Sequence, residues 1–420
     1  MQSQAKSSRT SAIPVWLVLL GLAILINYID RGNFSVAAPL LKDELHLNNT
    51  QIGVLITAFF WTYTLVMVVS GWIVDRFNVG WVLAAGFAIW SLATVATGLA
   101  QGIALLFVCR LALGAGESVA FPSCGKLIAL NVPEHRRGIA NAMLICGLGL
   151  GPAVGTFVCG TAMGRYGWRP VFIAVGLLSL IWIIPWLRFM PGRLVAQISS
   201  ATGVSSLRML RERNFWTASA GHFCSNYVLY FMIVWLPLYL VHERHLTMDQ
   251  MARIASLFYL PLAASSPIAG WLADEAIRRG ANANMVRKTT IGVGQVLVAI
   301  GVLACGAADP RVSFAGLVVA GIGCGAIGLN IYLFAQALAG PSMAGKWTGL
   351  QNCVGNISGI VVGPLTGWIV DRTGNFWLAF ELCTAIALLG GVCWVFLVGP
   401  LCETVWTRAP ELKPAATAVT

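Results

Sequence analysis

Four ionisable side chains stand inside otherwise apolar stretches: Asp30 and Arg31 side by side in the first, Arg110 and Glu117 seven residues apart in the fourth. An ionisable group at membrane depth is costly, so such residues face a protein-lined or wet cavity, pair with one another, and commonly mark the path of an ion or solute. A carboxylate in such a place can take up and release a proton. A guanidinium can hold an anion with two parallel hydrogen bonds. The competing reading is a static ion pair between two helices, but four charges in two segments exceed what one bridge requires.

The elements that carry these groups follow from composition. Of 420 residues, 58% are hydrophobic and 10% charged, and the mean hydropathy is +0.78, outside the range of soluble globular chains. Twelve apolar runs are read, at roughly 14–41, 50–75, 80–100, 102–130, 140–163, 170–190, 214–241, 250–273, 286–308, 311–338, 346–370 and 376–400, each meeting the ~20 residues a membrane helix needs. The expected fold is an all-α membrane protein of 12 transmembrane helices in two six-helix bundles. Its segments are a tail (1–13), a first bundle (14–190), a linker (191–213), a second bundle (214–400) and a tail (401–420). The first run is longer than a signal-peptide core and is read as a retained span.

Setting Arg31 and Arg110 aside, 18 of the other 25 Lys and Arg fall on the side of the N-terminus if each run crosses once. The positive-inside rule then puts both termini in the cytoplasm, in a plasma (inner) membrane. The net charge of +11 is thereby spread over short loops, with no aromatic-interleaved basic run to bind nucleic acid. The 11 cysteines form no C-x-x-C pair and lie mostly inside the runs, so they read as packing residues. Neither a metal site nor a disulfide framework is expected. No Walker A string is present, and no nucleophile, base and oxyanion arrangement supports an enzyme.

Depth along the helices relates the four charges. From Pro14, Asp30 lies about 24 Å along the first helix, and Arg110 lies about 12 Å below the opposite end of the fourth. In helices about 40 Å long these levels coincide, so Asp30 and Arg110 are expected to pair directly. Glu117 is two turns from Arg110, on the same face and about 10 Å deeper, near the midplane. Apolar burial among Gly114 and Gly116 favours its neutral form and a nearby Arg its charged form. That balance suits proton uptake and release.

The chain carries repeats. GWIVDR at Gly71 is answered by GWLADE at Gly270, and Gly151-Pro152 with Gly155 by Gly363-Pro364 with Gly367. Offsets near half the chain indicate two parallel six-helix repeats. GWIVDR also recurs unchanged at Gly367, ending the eleventh run at the opposite side, as an inverted relation between the second and fifth helices of a half would have it. Gly71 permits close helix approach, while Asp75 accepts hydrogen bonds at a helix end with Arg76 beside it. Asp274 with Arg278 and Arg279 is the second-half counterpart. The Gly147, Gly149, Gly151, Pro152 string reads as a packing face.

Four stretches, NYIDRGNFSVAAP (27–39), CRLALGAGE (109–117), YVLYFMIVWLPLYL (227–240) and QNCVGNISGIVVGPLTGWIVDRTG (351–374), resemble the major facilitator superfamily, and within it the anion:cation symporter branch, whose members include galactonate, hexuronate and glucarate carriers. The resemblance implies Asp30 and Glu117 as proton-coupling carboxylates, Arg31 as the site for a substrate carboxylate, Arg110 as a switching partner, Tyr28 and Tyr63 as pocket lining, and the loop after the second helix as a cytoplasmic latch. The usual basic run after that loop is replaced by Asn78, Val79, Gly80 and Trp81, which implies a weaker latch. An Arg in helix 7 of some relatives is missing here.

The second half differs in chemistry. At membrane depth it carries Asn226, Tyr227 and Tyr230, then Asn330, Tyr332 and Gln336, then Gln351, Asn352 and Asn356. Amides and phenols hydrogen-bond hydroxyl groups without demanding charge, although bonds among themselves between helices are the competing reading. His222 reads as a packing or pore-lining residue and Glu381 as interfacial. A cationic first half facing an amide-rich second half fits a ligand with one carboxylate and a polyhydroxyl body. The expected function is proton-coupled uptake of a sugar-derived organic monoanion by alternating access, in a monomer with H+ as coupling ion and no other cofactor. The alternatives are a proton-driven antiporter exporting an amphipathic compound and a nutrient receptor that binds without transporting.

Overall fold

The computed structural model describes residues 14–132, 137–191, 206–404 and 406. The first tail, most of the second and most of the 191–213 linker lie outside these. Among the described residues, twelve helices are long and apolar enough to cross a membrane: α1 (Val15–Glu44), α2 (Asn49–Val74), α3 (Val79–Leu99), α4 (Ile103–Asn131), α5 (Cys146–Tyr166), α6 (Trp168–Phe189), α7 (Arg213–Glu243), α8 (Met248–Arg278), α9 (Ala283–Cys305), α10 (Pro310–Gly340), α11 (Met343–Thr373) and α12 (Trp377–Leu397). Within apolar surroundings a helix is the economical solution because it satisfies its own backbone groups.

Local signals set the boundaries. Asn48 caps α2 and Thr247 caps α8, each in a reciprocal box with the residue three on, Gln51 and Gln250. Two positions before each cap, His46 and His245 both adopt positive φ, 51° and 56°. The repeat is thus written into the turns as well as the helices. Between α10 and α11 the chain turns at Gly340, whose φ of 67° suits a residue without a side chain. The helix of α4 is interrupted at Ser118 and Val119, directly after Glu117.

The two halves pack alike. In the first, α1 lies on α5, α2 on α4, and α3 on α4 and α6; in the second, α7 lies on α11, α8 on α10, and α9 on α10 and α12. Small residues hold these seams close, as in membrane bundles generally. Gly147 and Gly151 of α5 face the α1 backbone at Gly21, Leu25 and Tyr28, and Gly149 faces Ala263 of α8. These three glycines of the string therefore serve packing.

Between halves, α1 meets α7, α2 meets α11 and α5 meets α8. A β-carbon at Gly53 would sit 2.6 Å from the Gly363 carbonyl carbon, so only glycine allows α2 and α11 to touch there. The halves close at the end bearing the α1–α2 and α7–α8 turns, where His242 stands 3.5 Å from Asp43 and Asn49 and Thr50 bond Asp371. Toward the end bearing the termini, Asn352 Nδ2 of α11 donates to Met67 Sδ of α2 at 3.5 Å.

Candidate functional site

Arg31 and Glu117 meet at the centre of the first half. The guanidinium donates from both Nε and Nη2 to Glu117 Oε2, at 3.2 and 2.9 Å, and Oε1 makes no hydrogen bond. Arg31 is 7% exposed and Glu117 1%. Three rings enclose the cation, with its central carbon 4.7 Å from Tyr28, 4.8 Å from Phe59 and 4.7 Å from Tyr63. Such faces attract a desolvated guanidinium. Glycine at position 114, one turn before Glu117, lets α4 seat against α2: a β-carbon there would stand 3.1 Å from the Phe59 carbonyl carbon and closer still to its oxygen.

The direct Asp30–Arg110 pair expected from depth is not formed. Arg110 instead donates from Nη2 to the Ile56 carbonyl at 2.8 Å and lies over Phe34 (4.8 Å) and Phe59 (5.3 Å). Phe59 therefore touches both arginines. Asp30 is 1% exposed, and neither carboxylate oxygen makes a hydrogen bond. Its polar neighbours are Glu117, Thr94 and Arg110, but the Thr94 hydroxyl donates to the Trp90 carbonyl. The Arg110 guanidinium is turned toward α2.

The second half faces this ion pair through rings. Phe60 of α2 meets Tyr230 of α7 at 4.5 Å between ring centroids, and the Tyr230 hydroxyl donates to Asn356 Oδ1 at 2.5 Å. Asn356 in turn donates to the Asn352 carbonyl. Tyr332 lies within electrostatic reach of Arg31 and Tyr63, yet keeps 38% of its surface accessible. A side chain both central and accessible opens on the space between the halves. Asn226 is buried one turn before Tyr230 and contributes no hydrogen bond to this group.

Gln336 does not join it. It lines a cavity of about 360 Å³ with Asn284, Arg287 and Leu401 at the terminus-bearing end, and Arg31 is not part of that wall. Gln351 is engaged by Trp347 Nε1 at 2.8 Å and stands 3.5 Å from His222 Nδ1, so both are internal packing partners. Asn27 and Asn33, one turn before and after Asp30, are fully buried with side chains that make no hydrogen bond. The three-residue spacing of Asn27, Asp30 and Asn33 was the signal available for them. Nothing in one-dimensional pattern singled out Phe59 or Phe60.

At the terminus-bearing end, Gly71, Arg76 and Asp274 are exposed, and the side chain of Asp75 lies outside the described ones. The acid that engages Arg278 and Arg279 is Glu275, at 2.6 and 2.7 Å, in place of the expected Asp274. One carboxylate at 275 stands three and four residues before the two arginines and reaches both. Among the described residues no cluster of His, Cys, Asp and Glu is arranged to hold a metal.

Twelve membrane-length helices in two like halves, meeting over buried charge, define a multi-pass membrane transporter and not an enzyme. The profile of the Major Facilitator Superfamily matches residues 20–282 and 236–418, and the chain belongs to that family. It is 26% identical over 410 residues to the hexuronate transporter of Bacillus subtilis (strain 168), covering 93% of this chain and 95% of that one. It is 27% identical over 411 residues to the D-galactonate transporter of Escherichia coli O6:H1, covering 91% and 95%. Among solved structures, a bacterial homolog of the human lysosomal transporter Spinster, in an inward-facing and unoccupied conformation, superposes with a TM-score of 0.72 at 19% identity, covering 91% and 93%. That likeness establishes the fold.

Proposed function

We propose that this chain is a symporter that takes up an organic monoanion, a sugar acid such as an aldonate or hexuronate, together with H+. The observation that carries the reading is the buried Arg31–Glu117 pair, in which two donors converge on one carboxylate oxygen. The names of the relatives, hexuronate and D-galactonate transporters, support the ligand class.

Charge balance supplies the coupling. In the empty site Glu117 neutralises Arg31. A substrate carboxylate alone would leave one negative charge without a partner, and a proton on Glu117 alone would leave the guanidinium without one; either is disfavoured at this depth. When both arrive, the proton occupies Glu117 and the substrate carboxylate takes the guanidinium fork. The buried charge is then the same as in the empty site, so the empty and doubly loaded carriers are the two forms that can rock between faces.

Asp30, buried with no hydrogen bond, is the second proton-binding group in this reading. Arg110, bonded to the α2 backbone, is its switching neighbour. Tyr28, Tyr63 and Tyr332 line the pocket, and the Tyr230–Asn356–Asn352 chain receives the hydroxyl-bearing body. One proton per monoanion makes transport voltage-neutral; two carry in net charge, to which the membrane potential adds about 2.3 kcal/mol per 100 mV. The distribution of Lys and Arg supports cytoplasmic termini, so the closed end is external and the described state is inward-facing.

The decisive experiment is uptake of labelled D-galactonate and D-glucuronate into proteoliposomes under an inward proton gradient. Accumulation above the external concentration that collapses with a protonophore is expected. Uptake that merely equilibrates, or that ignores the protonophore, overturns the symport reading.

A further inference from the structure

The hexapeptide GWIVDR stands at the C-terminal ends of two helices, at 71–76 where the helix of α2 runs on to Arg76, and at 367–372 in α11. These two helices run antiparallel along one seam. Gly367 lies against Asn49 and Thr50, Gly363 against Gly53, Gly359 against Phe60, and Asn352 bonds Met67. Each copy therefore stands at the C-terminal end of its helix and faces the N-terminal end of the other.

At the closed end the second copy is engaged. A β-carbon at Gly367 would lie 2.7 Å from the Asn49 carbonyl carbon, so the glycine sets the approach. One turn on, Asp371 Oδ1 accepts from Asn49 N (3.0 Å) and Nδ2 (2.8 Å), and Oδ2 accepts from Thr50 N (2.9 Å) and Oγ1 (2.6 Å). Lys42 Nζ braces the same turn by donating to Asn49 Oδ1 at 2.7 Å. At the opposite end, nothing among the described side chains lies within 4 Å of a β-carbon built on Gly71 or on Gly345.

The charge placement has one physical explanation. An acid in the last turn of α11 opposes that helix's own dipole, whereas at the N-terminus of α2 it complements both the dipole and the orphan N–H groups. The first turn of α2 contains no acid of its own. Its repeat counterpart α8 does, in Asp249, which pairs within the helix with Arg253 at 2.7 Å. Asp371 thus supplies across the halves what Asp249 supplies within one.

We propose that Asp371 is the latch residue of the closed end: by capping α2 from α11 it stabilises the conformation in which this end is shut, and it must be released for the end to open. The proposal concerns the conformational equilibrium of the empty carrier and holds whatever the substrate or coupling ion.

The test is the distance between spin labels at Gln101 and Ala308, exposed positions beyond α3 and α9 at the closed end of opposite halves, in protein without substrate. Asp371→Asn is expected to raise the ratio of the long-distance to the short-distance population about tenfold, and Thr50→Val to raise it less. Asp249→Asn is the control and should leave it unchanged. If Asp371→Asn melts and elutes like the parent yet gives the parent's distribution, or if Asp249→Asn shifts it equally, the latch assignment fails. Should Asp371→Asn not fold, Thr50→Val and Asn49→Ala read the same contact from the α2 side, and parental distributions in both would overturn it. The expected distance shift in Asp371→Asn, together with failed proton-driven uptake by the parent protein, would leave the latch standing and sink the symport reading alone.

Discussion

Arg31 and Glu117 are joined through a single oxygen: Nε and Nη2 of the guanidinium both donate to Oε2, and Oε1 is buried beside them with no hydrogen bond. One half of the carboxylate serves the cation; in the proposed symport the other half receives the proton. Protonation at Oε1 would weaken Oε2 as an acceptor, so in that reading proton arrival and loosening of Arg31 are the same event. The aromatic enclosure by Tyr28, Phe59 and Tyr63 would then hold the freed guanidinium in place for a substrate carboxylate.

Glu117→Gln keeps the shape and removes the titration. In proteoliposomes it should lose at least about 90% of gradient-driven accumulation while retaining exchange of labelled for unlabelled substrate, and that exchange should no longer vary with pH. Accumulation at the parental level would remove Glu117 from the coupling step.

Arg31→Ala removes the fork and Arg31→Lys replaces it with a point charge. Calorimetry should find anion affinity lowered more than about 100-fold in the first and about tenfold in the second, because two parallel hydrogen bonds and the ring contacts are specific to guanidinium. Equal affinities for parent and Arg31→Lys would show that charge alone is read.

A double-mutant cycle separates the two possible pairings. Arg31 and Glu117 should couple by about 1.5–3 kcal/mol in thermal stability, whereas Asp30 and Arg110, which share no hydrogen bond, should couple by less than about 0.5 kcal/mol. A large Asp30–Arg110 term would mean that the pair forms in the protein's prevailing state.

Tyr230→Phe and Asn356→Leu each break the 2.5 Å hydrogen bond across α7 and α11. Both should raise KM for a polyhydroxy acid about tenfold and leave KM for a short carboxylate lacking hydroxyls within about twofold, since one interhelical or ligand hydrogen bond is worth about 1–2 kcal/mol in a membrane protein. An equal change for both substrates would assign these residues to packing.

Gly114→Val should lower the melting temperature markedly or prevent accumulation of folded protein. Its branched side chain would be driven into the Phe59 carbonyl, and the backbones of α2 and α4 have no room to yield. A parental melting temperature would contradict the close seating of Glu117 against α2.

The twelve spans, the two halves and the buried charges of α1 and α4 were determined by the sequence alone, because a bilayer imposes helix length, excludes charge except at a site, and leaves the repeat visible in glycine, proline and acid spacing. Tertiary structure decided which charges meet. Linear spacing gives depth along an axis, but a contact also depends on how each helix is rotated and which neighbour it crosses. That is why Arg31, not Arg110, holds a carboxylate; why Glu275 took the place of Asp274; why Gln336 faces another cavity; and why Asp371 found Asn49 and Thr50, more than 300 residues away in the chain.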